Sequence, residues 1–126
     1  MAVLSRKQLN FIEQVFCHQQ ELEHAVCEMR IRSLTDAAQS ADPTARIAIA
    51  GMTVADPELW LDVVYETWDK YRDTEVGWAM HRRYELHEIW TRTCCACSIA
   101  DVTYFSWRKE FLLSAALFAA GKGLKF

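Results

Sequence analysis

The sequence predicts an all-α protein: a single domain with a long N-terminal helix and a helical core that ends in a helix-turn-helix. Three observations lead there. Apolar residues recur at helical spacing over the first quarter of the chain, and no Gly or Pro occurs before Pro43. The tripeptide Ala-Asp-Pro, a helix-start signal, appears twice, at 41–43 and 55–57. No run of alternating β-branched residues bounded by turn residues is present, so no strand is expected.

The chain of 126 residues, 52% of them hydrophobic, is long enough for one domain, 1–126, with one core. Ser5 with Gln8 three positions on has the capping-box arrangement, which opens the first helix. Ile12, Val15, Leu22, Val26 and Met29 then form a stripe, widened by Leu9 and Phe16 and interrupted by Gln19. The predicted N-terminal helix lies within 1–40 and runs from residue 5 to about residue 38. So long a helix needs a partner along its face. Later helices of the same chain would serve, and so would a second copy in a homodimer.

The small, polar run TDAAQSADPTA reads as a loop. A short helix is expected from Pro43 to near Gly51 and a longer one from Pro57, with Asp42 and Asp56 as caps. On the Pro57 helix, Leu59, Trp60, Val63, Val64, Thr67, Trp68 and Tyr71 form an aromatic-rich core face. Asp62, Glu66, Asp69 and Asp73 line the opposite, solvated side. Thr74 is placed to cap a further helix through Val76, Trp78, Ala79 and Met80. No Gly or Pro decides whether that helix breaks near Tyr84 or continues to Cys95.

Residues 90–107 carry the helix-turn-helix pattern, within a wider region 82–124. Two short helices that cross steeply need a small residue at the crossing, a tight turn, an apolar plug and an inward pair three apart. Cys94 is the small residue, Cys97 ends the first helix, Ser98 makes the turn and Ile99 is the plug. Tyr104 and Trp107 are the inward pair. The second helix continues through RKEFLLSAALFAA, and the glycines 121 and 123 close it as a C-cap.

Charge and cysteine usage narrow the function classes. The formal net charge of −3 argues against indiscriminate binding to nucleic acid. Its distribution is uneven: 51–80 is acidic, whereas Arg82, Arg83, Arg92, Arg108, Lys109, Lys122 and Lys125 make the C-terminal third mildly basic. The opening MAVLSRKQLNFIEQ is broken by charge and does not read as a signal peptide. No apolar run reaches the roughly 18 residues of a membrane span, so no membrane partner is expected. Five cysteines, three of them crowded at 94, 95 and 97, do not form a disulfide framework; a reducing, cytoplasmic setting is expected.

Cys94-x-x-Cys97 with His81 and His87 offers donors for zinc, but the Gly or Pro of a zinc-ribbon turn and a second such pair are absent. Cys17 and Cys27, beside His18 and His24, lie on the long helix. The cysteines read as small helix residues and no cofactor is expected. Asp62 with Glu66 reads as solvated face rather than a divalent-ion site. No Ser or Cys sits on a Gly-flanked elbow and no phosphate-cradling glycine loop exists, so an enzyme is not expected.

Double-stranded DNA is the expected partner. With Tyr104 and Trp107 inward, Asp101, Val102, Phe105, Ser106 and Lys109 point outward at the start of the second helix, with Thr103 and Arg108 at the edges. Arg82, Arg83 and Arg92 are expected to reach phosphates. The alternative is a protein-interaction module, such as a small phage packaging or adaptor subunit, that uses the same helices as a platform.

The run Ile99-Ala-Asp-Val-Thr-Tyr-Phe-Ser-Trp-Arg-Lys-Glu-Phe resembles the C-terminal signature of RinA/ArpU-type phage transcriptional regulators. Thr103, Tyr104, Trp107 and Arg108 match that pattern directly. Phe105 stands for its second Tyr, Gly121 or Gly123 for its late Gly, and Arg83-Tyr84 for its upstream Arg-Tyr. The resemblance covers about the last 45 residues. It implies a small prophage-encoded regulator, similar in its DNA-binding half to the fourth region of sigma factors, with RNA polymerase as a further candidate partner. Ala100 stands where the pattern has a capping Ser, so Asp101 is expected to cap the recognition helix. An aspartate there repels phosphate unless it accepts from a cytosine amine.

Overall fold

Ser5 opens the first helix as a full capping box: its hydroxyl accepts from the Gln8 amide, and the Gln8 side chain accepts from the Ser5 amide. The computed structural model describes residues 4–35, 46–49 and 51–126. In chain order the elements are α1 (Arg6–Cys17), α2 (Gln19–Thr35), β1 (Arg46–Ile49), β2 (Met52–Ala55), α3 (Pro57–Lys70), α4 (Glu75–Met80), a π-helical turn (His81–Glu85), α5 (Trp90–Cys97) and α6 (Asp101–Gly121). The chain is mostly helical, as expected, with one small sheet among the described residues.

The long N-terminal helix is divided at His18, whose backbone (φ −117°, ψ 28°) leaves helical geometry. The division follows from packing. α1 lies against α6, whereas α2 lies against α3, so the chain bends to keep one stripe on a curved core. Ile12, Val15, Phe16, Leu22 and Val26 are all buried. The stripe is thus covered by the chain's own helices, the first of the two partners expected for it. Gln19, its polar interruption, has a use: its side-chain oxygen accepts from the indole of Trp68 at 2.7 Å. The last residues of the expected helix, 36–38, lie outside the described residues.

The expectation of no strands is corrected by an antiparallel hairpin. Arg46 pairs with Ala55, Ile47 with Val54, Ala48 with Thr53 and Ile49 with Met52. Where a short helix was expected to end near Gly51, residues 46–49 are extended, and Gly51 turns the chain at φ +80°. The alternation of Ile47 and Ile49 with Met52 and Val54 is only four residues long on each strand. It nonetheless buries Ile49 and Val54 on one face, with β1 packed against α2. Pro43, Asp42 and most of the expected polar loop lie outside the described residues.

Pro57 takes the first position of α3 as expected, but Asp56 makes no side-chain cap. The turn out of the hairpin puts Asp56 in the left-handed region (φ 52°), and its backbone carbonyl receives the Leu59 and Trp60 amides instead. On α3 the acidic side is exposed as expected. Leu59 is exposed rather than buried, and Leu61 is buried in its place. Thr74 caps α4 through the Gly77 amide. The helix then breaks near Tyr84: a wide turn closes with Leu86 donating to the His81 carbonyl, and His87 adopts φ 56° before α5 starts.

Phe111 of α6 is the hub of the core. Its ring lies 4.8–6.0 Å from those of Trp68, Phe16, Tyr71 and Tyr84. α6 ends in a Schellman arrangement, with Gly123 at φ +75° and Leu124 donating to Ala119 while Gly123 donates to Ala120. The chain then folds back so that Phe126 covers Trp60, and the Phe126 carbonyl accepts from Gln8. No helix among the described residues is long and apolar enough to cross a membrane.

Candidate nucleic-acid interface

α5 and α6 are joined by three residues, Ser98, Ile99 and Ala100. Ser98 carries the reversal in the left-handed region (φ 55°), and Ile99 donates back to Cys94. Ile99 is half-buried against the core. Tyr104 is buried under Trp90, the rings near-parallel at 6.0 Å. Cys94 is buried at the crossing, Cys97 half-buried and Cys95 exposed; burial raises the thiol pKa of Cys94 and Cys97. Among the described residues no three His, Cys, Asp or Glu side chains converge as metal ligands.

The first two turns of α6 present Asp101, Val102, Phe105, Ser106 and Lys109 to solvent, with Val102 81% exposed. Thr103 is half-buried. Asp101 does not cap the helix as expected. Ala100 is the N-cap, no side chain bonds there, and Asp101 occupies the first helical position, where its charge opposes the positive end of the helix dipole. Phe105 leans on Trp90 at 5.0 Å.

The arginines divide into two groups. Arg108 makes a two-pronged bond to Glu13 of α1, with Nε to Oε2 at 2.6 Å and Nη2 to Oε1 at 2.9 Å. The Tyr84 hydroxyl donates to the same Glu13 carboxylate at 2.8 Å. Burial acts to raise the Glu13 pKa, but the bonds from Arg108 and Tyr84 outweigh it and hold the carboxyl below its ordinary value. The bond to Glu13 raises the Arg108 pKa in turn, and burial pushes the Tyr84 hydroxyl well above its ordinary value. Arg82 is engaged in the same way: it grips Glu88 at 2.9 and 2.7 Å and lies over the Trp78 ring. Thr93 adds a bond to Glu88 that ties the turn to α5.

Arg92 and Lys109 are exposed and belong to no ion pair among the described residues. Arg83 is half-buried, over the Tyr84 ring and beside Tyr104. Of the three arginines expected to reach phosphates, Arg92 stands open, Arg82 is held on Glu88 and Arg83 is half-buried over Tyr84. Arg108, expected at the edge of the recognition helix, is held on Glu13.

Three of the four residues that match the phage-regulator pattern are at least half turned inward with clear structural roles: Tyr104 in the core, Trp107 against it and Arg108 on Glu13. The sequence reading missed Glu13 altogether. Its signal was the spacing of Arg6, Asn10 and Glu13, which places three polar side chains on one side of α1 next to the apolar stripe. Comparison with protein families, with curated proteins and with solved structures finds no match for this chain.

Proposed function

We propose that the chain is a sequence-specific DNA-binding regulator of the phage type that its C-terminal third resembles, with the start of α6 as the recognition element. The observation that carries this reading is the exposed row at that start. Asp101, Val102, Ser106 and Lys109 stand exposed with no side-chain hydrogen bond or ion pair among the described residues, and the exposed Phe105 leans on Trp90 and Tyr104, although the helix beneath them is firmly packed. Side chains in this position on the second helix of such a unit face base edges. Arg92, one helix earlier, and Lys109 supply the phosphate contacts, and Arg82 and Arg108 act by fixing the angle of the unit. Pairing into a homodimer and contact with RNA polymerase belong to the same reading. Pairing would use a surface other than the buried stripe of α1 and α2.

The test is fluorescence anisotropy of labelled duplex DNA at several salt concentrations. Affinity should fall log-linearly with salt, and replacing both Arg92 and Lys109 by Gln should lower the slope by about two. Absence of binding at low salt would overturn the proposal. A protein-interaction module is the second reading, favoured by one observation. Val102, Leu113 and Leu117, all exposed, share a helical stripe with Ser106 and Lys109 on the outer side of α6. Failure of DNA binding, together with a defined larger assembly on a sizing column, would favour it.

A further inference from the structure

On the α1 side of the same unit lies a cleft of about 460 Å³, walled by α1, the π-helical turn, Trp90 and α6. Its lining is both apolar and cationic. Trp90 and Phe105 meet at 5.0 Å with their planes 48° apart, and Leu9 adds a further apolar side chain to the lining. Arg6, Arg83 and Arg108 line the same cleft against a single carboxylate, Glu13, with Arg83 beside Tyr104. Glu13 is already satisfied, because Arg108 takes both of its oxygens and Tyr84 bonds one of them. Arg6 and Arg83 enter no ion pair among the described residues, although Arg83 bonds Tyr104 and acts on Glu13 from a distance. Three guanidinium groups thus share one carboxylate, a net excess of positive charge in the cleft. Asn10 adds an amide that both donates and accepts.

We propose that this cleft binds a nucleoside monophosphate, with the base stacked on Phe105 beside Trp90 and the phosphate held by Arg6 and Arg83. Three matches carry the assignment. The volume is that of a small-ligand site. The excess positive charge matches a phosphate monoester, which carries about −1.5 to −2 at neutral pH, better than it matches a singly charged carboxylate. Guanidinium groups suit a phosphate with several acceptor oxygens, and aromatic faces accept a base without hydrogen-bond readout. The site does not require the chain to bind DNA. It adjoins the proposed recognition row only through Phe105.

The experiment is isothermal titration of the full chain with AMP, with adenosine and inorganic phosphate as separate arms. AMP should bind saturably, at least about tenfold tighter than either fragment, because only AMP offers both a base to the aromatic side chains and a phosphate to the arginines. Arg6→Gln, at an exposed position, should weaken AMP about tenfold or more with unchanged circular dichroism and melting. Phe105→Ala should do so with unchanged circular dichroism and a small loss of melting temperature from its contacts with Trp90 and Tyr104. No heat from AMP at millimolar concentration would overturn the proposal. Adenosine or phosphate binding as tightly as AMP would do the same, as would both variants binding like the parent chain. A DNA titration without nucleotide decides the regulator reading separately, so failure of one does not mimic failure of the other.

Discussion

Arg108 and Lys109 are neighbours with the same charge, and they belong to different parts of the molecule. Arg108 faces inward and is clamped to Glu13, across to α1. Lys109 faces outward and pairs with no acid among the described residues. The same contrast runs along α6. Its inner side carries Tyr104, Phe111, Leu112, Ala115 and Ala119, all buried, whereas the outer side carries Val102, Ser106, Lys109, Leu113 and Leu117, all exposed. A helix used on both sides need not be polar on the outer one. What separates the two faces is whether each side chain has a partner within the chain, and a cation can stand on either side.

The contrast breaks most severely at Phe111. Truncation to Ala removes the ring on which Phe16, Trp68, Tyr71 and Tyr84 converge, and should cost about 3–5 kcal/mol in urea unfolding. Leu113→Ala, two residues away on the outer face, should shift stability by no more than about 0.5 kcal/mol. Equal losses at the two positions would mean that the outer face is packed after all.

The next largest effect separates the two neighbouring cations. Arg108→Gln leaves a largely buried carboxylate with only Tyr84, and should cost about 2 kcal/mol, less than a fully buried pair would because both partners keep some exposure. Lys109→Gln should leave unfolding unchanged and act only on DNA affinity. Acid provides an independent handle on the same pair. Because the folded chain holds Glu13 below its ordinary value of 4.5, the stability from this pair is complete above that pH and is lost as pH falls through the lower, folded value. Urea midpoints from about pH 6 to about pH 3 should therefore fall more steeply for the parent chain than for Arg108→Gln.

Long patterns were legible in the sequence and short ones were not. The stripe from Ile12 to Val26, the acidic side of α3, the Thr74 cap and the Ser98 turn are each specified by local spacing or by a residue with one strong preference. The hairpin was missed because four residues per strand carry too little alternation to compete with a preceding Ala-Asp-Pro. The bend at His18 was missed because it is set by where α3 and α6 lie. The proposed recognition row could be read from helical phase alone. The Glu13–Arg108 pair joins residues 95 apart in sequence, and no local rule reports such a distance. Hence the sequence placed Arg108 at a DNA edge, and the structure places it on α1.

The smallest expected effect concerns the joint that holds α6 at its angle. Ser98 sits at φ 55°, where a side chain with a Cβ crowds the backbone by roughly 1–2 kcal/mol. Glycine removes that strain but adds freedom to the unfolded chain, which offsets part of the gain. Ser98→Gly should therefore raise stability by about 0.5–1 kcal/mol in urea unfolding. Alanine tests the opposite sense: it keeps the Cβ, so Ser98→Ala should gain nothing. If Ser98→Gly instead lowered stability, the reversal between α5 and α6 would not be left-handed at this residue, and the outward row on α6 would have to be redrawn around a different turn.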